Sequence, residues 1–480
     1  MALHSLFFIF AFLPSALLLY WLTPQWLKNT VFLVLSLLFY AWGDAAALPV
    51  LLFSIAFNYA AGLGVERATA QKTKKLLLAA PIAANLGLLV YCKYLGFFVR
   101  TVADMQLLPA AVEVPDHHLP LGISFFTFSA IAYLIDIYRG TTVAERNIVS
   151  FGAYLAMFQK MVAGPIARYS DIARSLTNRA VTLEGFADGA QRFIFGLCKK
   201  VLIANTLGKV ADEAFNLPAA NLDMPTAWLG IASYTLQIYF DFSGYTDMAI
   251  GLGRMFGLRL PENFNYPYTA QSIRDFWKRW HITLSFWFRD YLYIPLGGNH
   301  CSRVRGYANL VIVFLLCGLW HGASLNFINW GLYHGLFLVL ERIGFERVLK
   351  KTWRPLRHLY TVLVIMIGWV FFRATYIGHA LDYLNSMASF TTGEFDHFQM
   401  TFVNRQFLAA LAAACLLSTP IWRYLISLKN RVEASARGLP VRFAYIGCLV
   451  AGVALVTILF IVCSMQIVSE SYRPFIYAKF

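Results

Sequence analysis

The stretch YANLVIVFLLCGLWHGASLNFINWGLYHGLFLVL (Tyr307–Leu340) is almost wholly apolar and carries an ionisable side chain, His321, in its interior. A membrane-spanning helix needs about 20 predominantly apolar residues, so this stretch is long enough to cross a bilayer twice. Burying an ionisable side chain in hydrocarbon is costly, and such a residue is therefore a functional candidate. The stretch predicts a membrane-embedded helical hairpin that contains a functional histidine.

His321 is expected to lie deep in the membrane. The hairpin begins after Arg305 and ends before Arg342, and both are assigned to the cytosolic side by the positive-inside rule. At about 1.5 Å per residue from Tyr307, the chain reaches His321 after about 21 Å, past the middle of a hydrocarbon layer of about 30 Å. The residues that follow, Gly322–Asn326, are small or polar and suit backbone that lines a cavity. We therefore expect an enclosed polar chamber at His321.

The whole chain has the composition of a membrane protein. Of its 480 residues, 59% are hydrophobic and only 14% are charged, and the mean hydropathy is +0.58. A soluble protein of this size would expose a large apolar area. The apolar runs predict an all-α polytopic membrane protein, a single domain over residues 1–480, with roughly 11 to 13 membrane segments. Some of these segments are expected to be re-entrant or to lie at the membrane interface.

Charge and cysteine content argue against two kinds of partner. The formal net charge is +15, but the basic residues are dispersed into short connections between apolar runs, such as 72–75 and 342–357. The positive-inside rule explains this distribution, so no nucleic acid is predicted. The seven cysteines include no CxxC pair, and no zinc site or other metal site is predicted.

The region 260–305 is more polar than the rest and contains a second histidine. Its first part, LPENFNYPY (Leu260–Tyr268), has two prolines and several polar residues, which exclude a spanning helix. The segment from Phe276 onward places Phe276, Trp280, Leu284 and Phe288 on one helical face. This pattern predicts one amphipathic helix in or near the membrane interface, with His281 at its centre.

Basic side chains cluster around this predicted helix. They could bind the phosphates of coenzyme A, and contacts with membrane lipids explain them nearly as well. The candidates for the phosphate contacts are Arg274, Lys278, Arg279 and Arg289, with Arg303 and Arg305 nearby.

Eight strings together resemble one family. In chain order they are PLGISFFTF (120–128), DIYRG (136–140), VAGPI (162–166), YFDFSGYTDMAIGLGRMFG (239–257), LPENFNYPY (260–268), FWKRWHITLSFWFRDYLYIPLGGN (276–299), CGLWHG (317–322) and WVFFRA (369–374). The chain resembles the membrane-bound O-acyltransferase (MBOAT) family, in the bacterial branch typified by the membrane subunit of alginate O-acetylation. The resemblance covers effectively the whole chain, and residues 239–335 are richest in the motifs.

This resemblance implies helices around a central tunnel, reached by an acyl donor from the cytosol and by an acceptor from outside. It implies that His321 is the catalytic histidine and that His281 is its partner near the tunnel. From the residues alone, a histidine bonded across helices for structure explains His321 about as well. A neutral imidazole can accept a hydroxyl proton while the oxygen attacks a thioester, which is the chemistry that the resemblance requires.

The implied function is that of an acetyltransferase in the bacterial inner membrane. Acetyl-CoA on the cytosolic side would supply the acetyl group, and an exported polysaccharide such as alginate would receive it. A periplasmic acetyltransferase of the SGNH type and the exopolysaccharide machinery are the expected partners.

Two alternatives remain open at this point. One is a transporter or lipid flippase with a histidine proton relay, although no internal repeat of the kind that many transporters contain is visible. The other is transfer of a different acyl group, or of D-alanine, from a carrier protein.

Overall fold

The computed structural model describes residues 2–107, 118–390, 398, 401–421, 424, 427 and 439–469. Throughout these ranges the regular secondary structure is helical, which confirms the predicted all-α class. Six helical segments in the described part of the chain are long and apolar enough to cross a membrane: Gln25–Asp44, Leu48–Arg67, Gln71–Asp104, Arg303–His321, Arg354–Arg373 and Val450–Ser469. Shorter apolar helices accompany them at Phe8–Leu22 and Arg405–Leu417. The protein is therefore multi-pass, while the total of 11 to 13 segments stays a prediction.

The helices are numbered here in chain order. They are α1 (Leu13–Leu22), α2 (Lys28–Asp44), α3 (Leu48–Arg67), α4 (Gln71–Leu89), α5 (Leu95–Asp104), α6 (Ile123–Arg139), α7 (Ile148–Leu155), α8 (Tyr169–Thr177), α9 (Leu183–Cys198), α10 (Asn205–Asn216), α11 (Met224–Met255), α12 (Ile273–Arg279), α13 (Ile282–Phe288), α14 (Arg303–His321), α15 (Leu325–Leu340), α16 (Glu346–Lys351), α17 (Arg354–Arg373), α18 (Ile377–Ala388), α19 (Arg405–Leu417) and α20 (Leu439–Ser469). Short π-helical turns join several of them, including Val90–Tyr94 between α4 and α5.

The longest helix, α11, forms the centre of the bundle. It has 32 residues and is buried along most of its length, and a helix of that size is about 48 Å long. Helix α9 packs closely against it, because a Cβ atom at Gly251 would lie 2.5 Å from the carbonyl oxygen of Gly189. A buried ion pair between Lys200 and Asp241, 2.5 Å apart, links α11 to the turn after α9. Small residues and ion pairs, among them Arg192–Asp247 at 2.8 Å, thus hold the two helices together.

The predicted hairpin is confirmed. Helices α14 and α15 pack as neighbours, with the connection at 322–324. Their closest approach depends on glycine, because a Cβ at Gly318 would lie 2.1 Å from the carbonyl oxygen of Phe327. The equivalent atom at Gly331 would lie 2.2 Å from the carbonyl oxygen of Phe314. Any larger residue at these two positions would push the helices apart and displace the end of α14.

The prediction of one amphipathic helix from Phe276 onward is wrong in one respect. The segment is broken into α12 and α13 at His281, whose φ of 44° lies in the left-handed region. The break is stabilised by backbone hydrogen bonds to the loop 260–268: Ile282 N–H donates to Asn263 O at 3.0 Å and Asn265 N–H donates to Arg279 O at 3.0 Å. The local sequence pattern favours a continuous helix. At His281, backbone hydrogen bonds to a loop about twenty positions away replace the hydrogen bonds of that helix.

The predicted apolar face faces the protein interior rather than lipid. Phe276 and Trp280 are each 1% exposed, and Leu284 and Phe288 are also buried. The loop 260–268 contains only a short 3-10 turn, Pro267–Thr269, as its prolines predicted. These segments therefore form part of the bundle core.

Candidate active site

His321 is the last residue of α14 and is only 2% exposed. Three aromatic rings surround its imidazole: the ring centres of Trp320, Trp330 and Phe372 lie 4.9, 5.1 and 5.3 Å away. Trp330 comes from α15 and Phe372 from the WVFFRA string on α17. Packing of α14 against α15 and α17 thus encloses His321 within the bundle.

His281 also packs against Trp320. It is 1% exposed, its ring centre lies 6.0 Å from that of Trp320, and Phe242 on α11 packs edge-on against it at 4.8 Å. His281 and His321 are close enough to interact electrostatically. The structure therefore brings together the two histidines that the sequence singled out, forty positions apart.

Asn263 fixes the tautomer of His281. Its Oδ1 atom lies 3.1 Å from His281 Nδ1, and it also accepts hydrogen bonds from the backbone N–H (3.2 Å) and hydroxyl (2.9 Å) of Thr283. A backbone N–H can only donate, so the atom that it faces must be the amide oxygen. His281 Nδ1 must then carry the proton, which leaves Nε2 as the basic nitrogen of the neutral ring. Among the residues that the structure describes, none is hydrogen-bonded to His281 Nε2.

Asn263 belongs to the string LPENFNYPY, but no role for it follows from the sequence alone. The signal that could have identified it is its position: an asparagine beside two prolines in a membrane protein marks irregular backbone. Such backbone is tolerated at membrane depth only where it is buried in protein or lines a cavity.

The four basic residues predicted to contact coenzyme A fall into two groups. On α12, Arg274 pairs with Glu346 at 2.6 Å and Arg279 pairs with Asp275 at 2.9 Å, while Lys278 is exposed. Arg289 lies after α13 and pairs with Asp290 at 2.6 Å. Arg168 also contacts Asp290. Three of the four predicted phosphate ligands therefore already have acidic partners, and Lys278 has the most accessible charge of the four.

A buried carboxylate that the sequence analysis did not single out supports α12. Glu341 is 1% exposed, and its two oxygens accept the backbone N–H groups of Ile273 (2.7 Å) and Arg274 (3.0 Å). The first N–H groups of a helix have no partner within the helix, and a negative charge there is favourable. Glu341 thus fixes the beginning of the segment that leads to His281.

A cavity of about 1340 Å³ lies between α9, α11, α19 and α20. Asn263 and Ile282, which flank His281, belong to its lining, but neither His281 nor His321 is among the described residues that form it. Four of its charged residues are paired, since Arg192 contacts Asp247 at 2.8 Å and Glu262 at 2.5 Å, and Lys199 contacts Asp247 at 2.6 Å.

The polar chamber expected at His321 stays a prediction. Aromatic rings lie around the imidazole, and the large cavity is lined by Asn263 and Ile282 rather than by the histidine itself. Among the described residues there is also no group of three or more His, Cys, Asp or Glu side chains that could hold a metal ion.

Comparison with known proteins gives consistent results. The model of the membrane-bound O-acyltransferase family matches residues 139–380. A Pseudomonas putida protein named probable alginate O-acetylase AlgI is 39% identical, over the whole of both chains. The peptidoglycan O-acetyltransferase of Helicobacter pylori is 38% identical over 79% of this chain and 78% of its own. The teichoic acid D-alanyltransferase of Bacillus subtilis is 31% identical over 60% of this chain and 76% of its own.

Proposed function

Because the chain belongs to the membrane-bound O-acyltransferase family, we propose that it moves an acetyl group from cytosolic acetyl-CoA across the bacterial inner membrane for O-acetylation of an exported polysaccharide. The observation that carries the proposal is that His281 and His321 are both buried and both pack against Trp320, within the matched residues. As a family member, the protein is an O-acyltransferase, which favours the enzyme over the transporter alternative. The relatives with whole-chain or near-whole-chain similarity are named for acetylation of alginate and of peptidoglycan.

His321 is the general base of the proposed reaction. Its imidazole accepts the proton of the acceptor hydroxyl while that oxygen forms a bond to the thioester carbonyl carbon. The carbon–sulfur bond then breaks, and the proton passes from the imidazole to the departing thiolate. The aromatic rings around His321 exclude water, and burial without water favours the neutral imidazole over the charged imidazolium.

His281 assists His321 in the proposed reaction. With Nδ1 held as a donor by Asn263, its Nε2 can accept a proton or a hydrogen bond from the acyl donor or from the acyl acceptor. The position of Asn263 and Ile282 in the lining of the large cavity supports this role, because it places an open space next to His281.

The donor would approach from the cytosolic side. Lys278 is exposed on α12, and no carboxylate of the described residues forms a close ion pair with it, whereas Arg274, Arg279 and Arg289 each have one. Phosphates of acetyl-CoA would therefore bind Lys278 first, and would compete with Glu346 and Asp275 for the arginines. A periplasmic acetyltransferase of the SGNH type is the proposed partner that passes the acetyl group to the sugar.

A second candidate is transfer of a D-alanyl group from a carrier protein. The similarity to a D-alanyltransferase favours it, but that similarity covers a smaller part of this chain than those to the two relatives named for O-acetylation. Supplying either radiolabelled acetyl-CoA or a D-alanyl carrier to the same preparation distinguishes the two donors.

The proposal is tested in sealed vesicles with radiolabelled acetyl-CoA on the cytosolic side and a polysaccharide acceptor, with its periplasmic partner, on the other. The unmodified protein is compared with His321→Ala and with His300→Ala, the same change at an exposed histidine. We expect label to reach the acceptor with the unmodified protein and with His300→Ala, and not with His321→Ala. Equal transfer by all three proteins would contradict the role of His321.

A further inference from the structure

Lys93 is an ionisable side chain inside a membrane segment that the mechanism above does not use. It lies in the π-helical turn Val90–Tyr94, within the continuous helical run Gln71–Asp104. Its ammonium donates to the backbone carbonyl of Trp320 at 2.6 Å and lies 3.4 Å from the hydroxyl of Ser124. A charged residue inside a membrane segment is costly and is a functional candidate together with its partner. Here that partner is the peptide bond that joins Trp320 to His321.

The neighbouring residue makes a parallel contact. Tyr94 donates its hydroxyl hydrogen to the carbonyl of Leu319 at 3.0 Å. The last four carbonyls of a helix lack partners within the helix, and a positive charge near them is favourable. Two consecutive residues of the turn thus hold two consecutive carbonyls at the end of α14. The contact from Lys93 is the one that acts on the peptide bond preceding His321.

The charge of Lys93 has a second effect. Two titratable groups lie close enough to act electrostatically on His321: Lys93, from the 90–94 turn, and His281, from the α12–α13 junction. A neighbouring positive charge disfavours the imidazolium form of a histidine. A general base must be neutral before it can accept a proton. Lys93 therefore favours the form of His321 that the proposed reaction needs.

We propose that Lys93 is a positioning residue for His321: its side-chain nitrogen donates to the Trp320 carbonyl and so holds the peptide bond that precedes the imidazole. This inference rests on the proposed role of His321 in acyl transfer. It assigns a function to the π-helical turn, which directs Lys93 toward the end of α14.

Three substitutions separate the two effects of Lys93. Lys93→Met removes both the hydrogen bond and the charge, Lys93→Gln keeps a donor without the charge, and Lys93→Arg keeps both. Lys75→Met is the matched control, because it makes the same change at an exposed lysine of the same helical run. His321→Ala is included to report on the proposed function itself.

The assay is acetyl transfer from radiolabelled acetyl-CoA in vesicles, measured as kcat, KM and the pH dependence of the rate. We expect Lys93→Met to lower kcat by about 10- to 100-fold with little change in KM, because a charge-assisted hydrogen bond beside the base is lost. The acid limb of the rate profile should move to higher pH in Lys93→Met and Lys93→Gln, and should stay in place in Lys93→Arg and Lys75→Met. Thermal unfolding of each purified variant shows whether it is folded.

The outcomes distinguish this inference from the function on which it rests. If His321→Ala is inactive while Lys93→Met has an unchanged kcat and an unchanged pH profile, the role of Lys93 is refuted and the proposed function stands. The role of Lys93 is also refuted if Lys93→Met and Lys93→Gln lose activity only in step with their thermal stability and show no shift in the pH profile. If His321→Ala retains full activity, both proposals fall. If Lys93→Met does not fold, the pH profile of the rate for Lys93→Gln decides whether the role of Lys93 stands.

Discussion

Replacing Asn263 with alanine tests whether this residue sets the chemistry of His281. The change removes one oxygen that accepts from His281 Nδ1 and from the backbone N–H and hydroxyl of Thr283. The hydroxyl can rotate, but the N–H and the protonated Nδ1 cannot, so two buried donors lose their partner. At about 1–3 kcal/mol for each unpaired buried donor, we expect Asn263→Ala to lower the free energy of unfolding by about 2–6 kcal/mol.

The effect on activity has a separate cause. Without an acceptor at Nδ1, the neutral imidazole of His281 is no longer restricted to the tautomer with a basic Nε2. Loss of an orienting hydrogen bond to a functional histidine typically lowers activity by about 10- to 100-fold, and we expect kcat to fall within this range. Asn263→Asp keeps an acceptor facing Nδ1 and should retain more activity than Asn263→Ala. The measurements are acetyl transfer in vesicles and thermal unfolding of the purified protein.

Asn265→Ala is the matched control, since it makes the same substitution two positions along the same loop. Its backbone hydrogen bond to Arg279 does not involve the side chain. Selective ¹⁵N labelling of histidine reports the tautomer of His281 directly. An Asn263→Ala protein with unchanged kcat and unchanged stability would refute the reasoning. So would a histidine spectrum that shows Nδ1 unprotonated in the unmodified protein.

Two further predictions concern other parts of the fold. The sulfur atoms of Cys198 and Cys463 lie 3.5 Å apart. A thiol oxidant such as copper phenanthroline with oxygen should therefore form a disulfide that joins α9 to α20 in membranes. Peptide mapping should find the linked pair in the unmodified protein but not in Cys463→Ser. At the Asp290 cluster, burial raises the pKa of Asp290, but hydrogen bonds and positive charges from Arg289 and Arg168 outweigh it and hold the pKa below its ordinary value. Because a lowered pKa stabilises the fold above the unfolded-state value of about 3.9, Asp290→Asn should be less stable than the unmodified protein at pH 7 by about 1–3 kcal/mol. Thermal unfolding between pH 7 and pH 3 should show this difference disappearing as the pH falls below about 4, and a constant difference would contradict the assignment.

Much of the fold follows from the sequence because membrane insertion depends on properties of short segments. The length and apolarity of Tyr307–Leu340 predict the hairpin α14–α15, and the prolines of Leu260–Tyr268 exclude a spanning helix there. The placement of His321 inside the membrane follows from counting residues between basic connections. Each of these inferences uses only composition, helical rise and the cost of burying polar groups in hydrocarbon.

The arrangement of the candidate site required the tertiary structure, because its contacts join distant parts of the chain. Asn263 reaches His281 across 18 positions and Lys93 reaches Trp320 across 227. Neither contact leaves a periodic signal in the sequence, and the break at His281 opposes the local helical pattern. Hydrogen bonds to the loop 260–268 replace those of a continuous helix there. The sequence by itself determined the helical class, the apolar segments that are expected to enter the membrane and the candidate histidines, because these depend on composition along short stretches. Only the packing of helices decided which atom of His281 faces a partner.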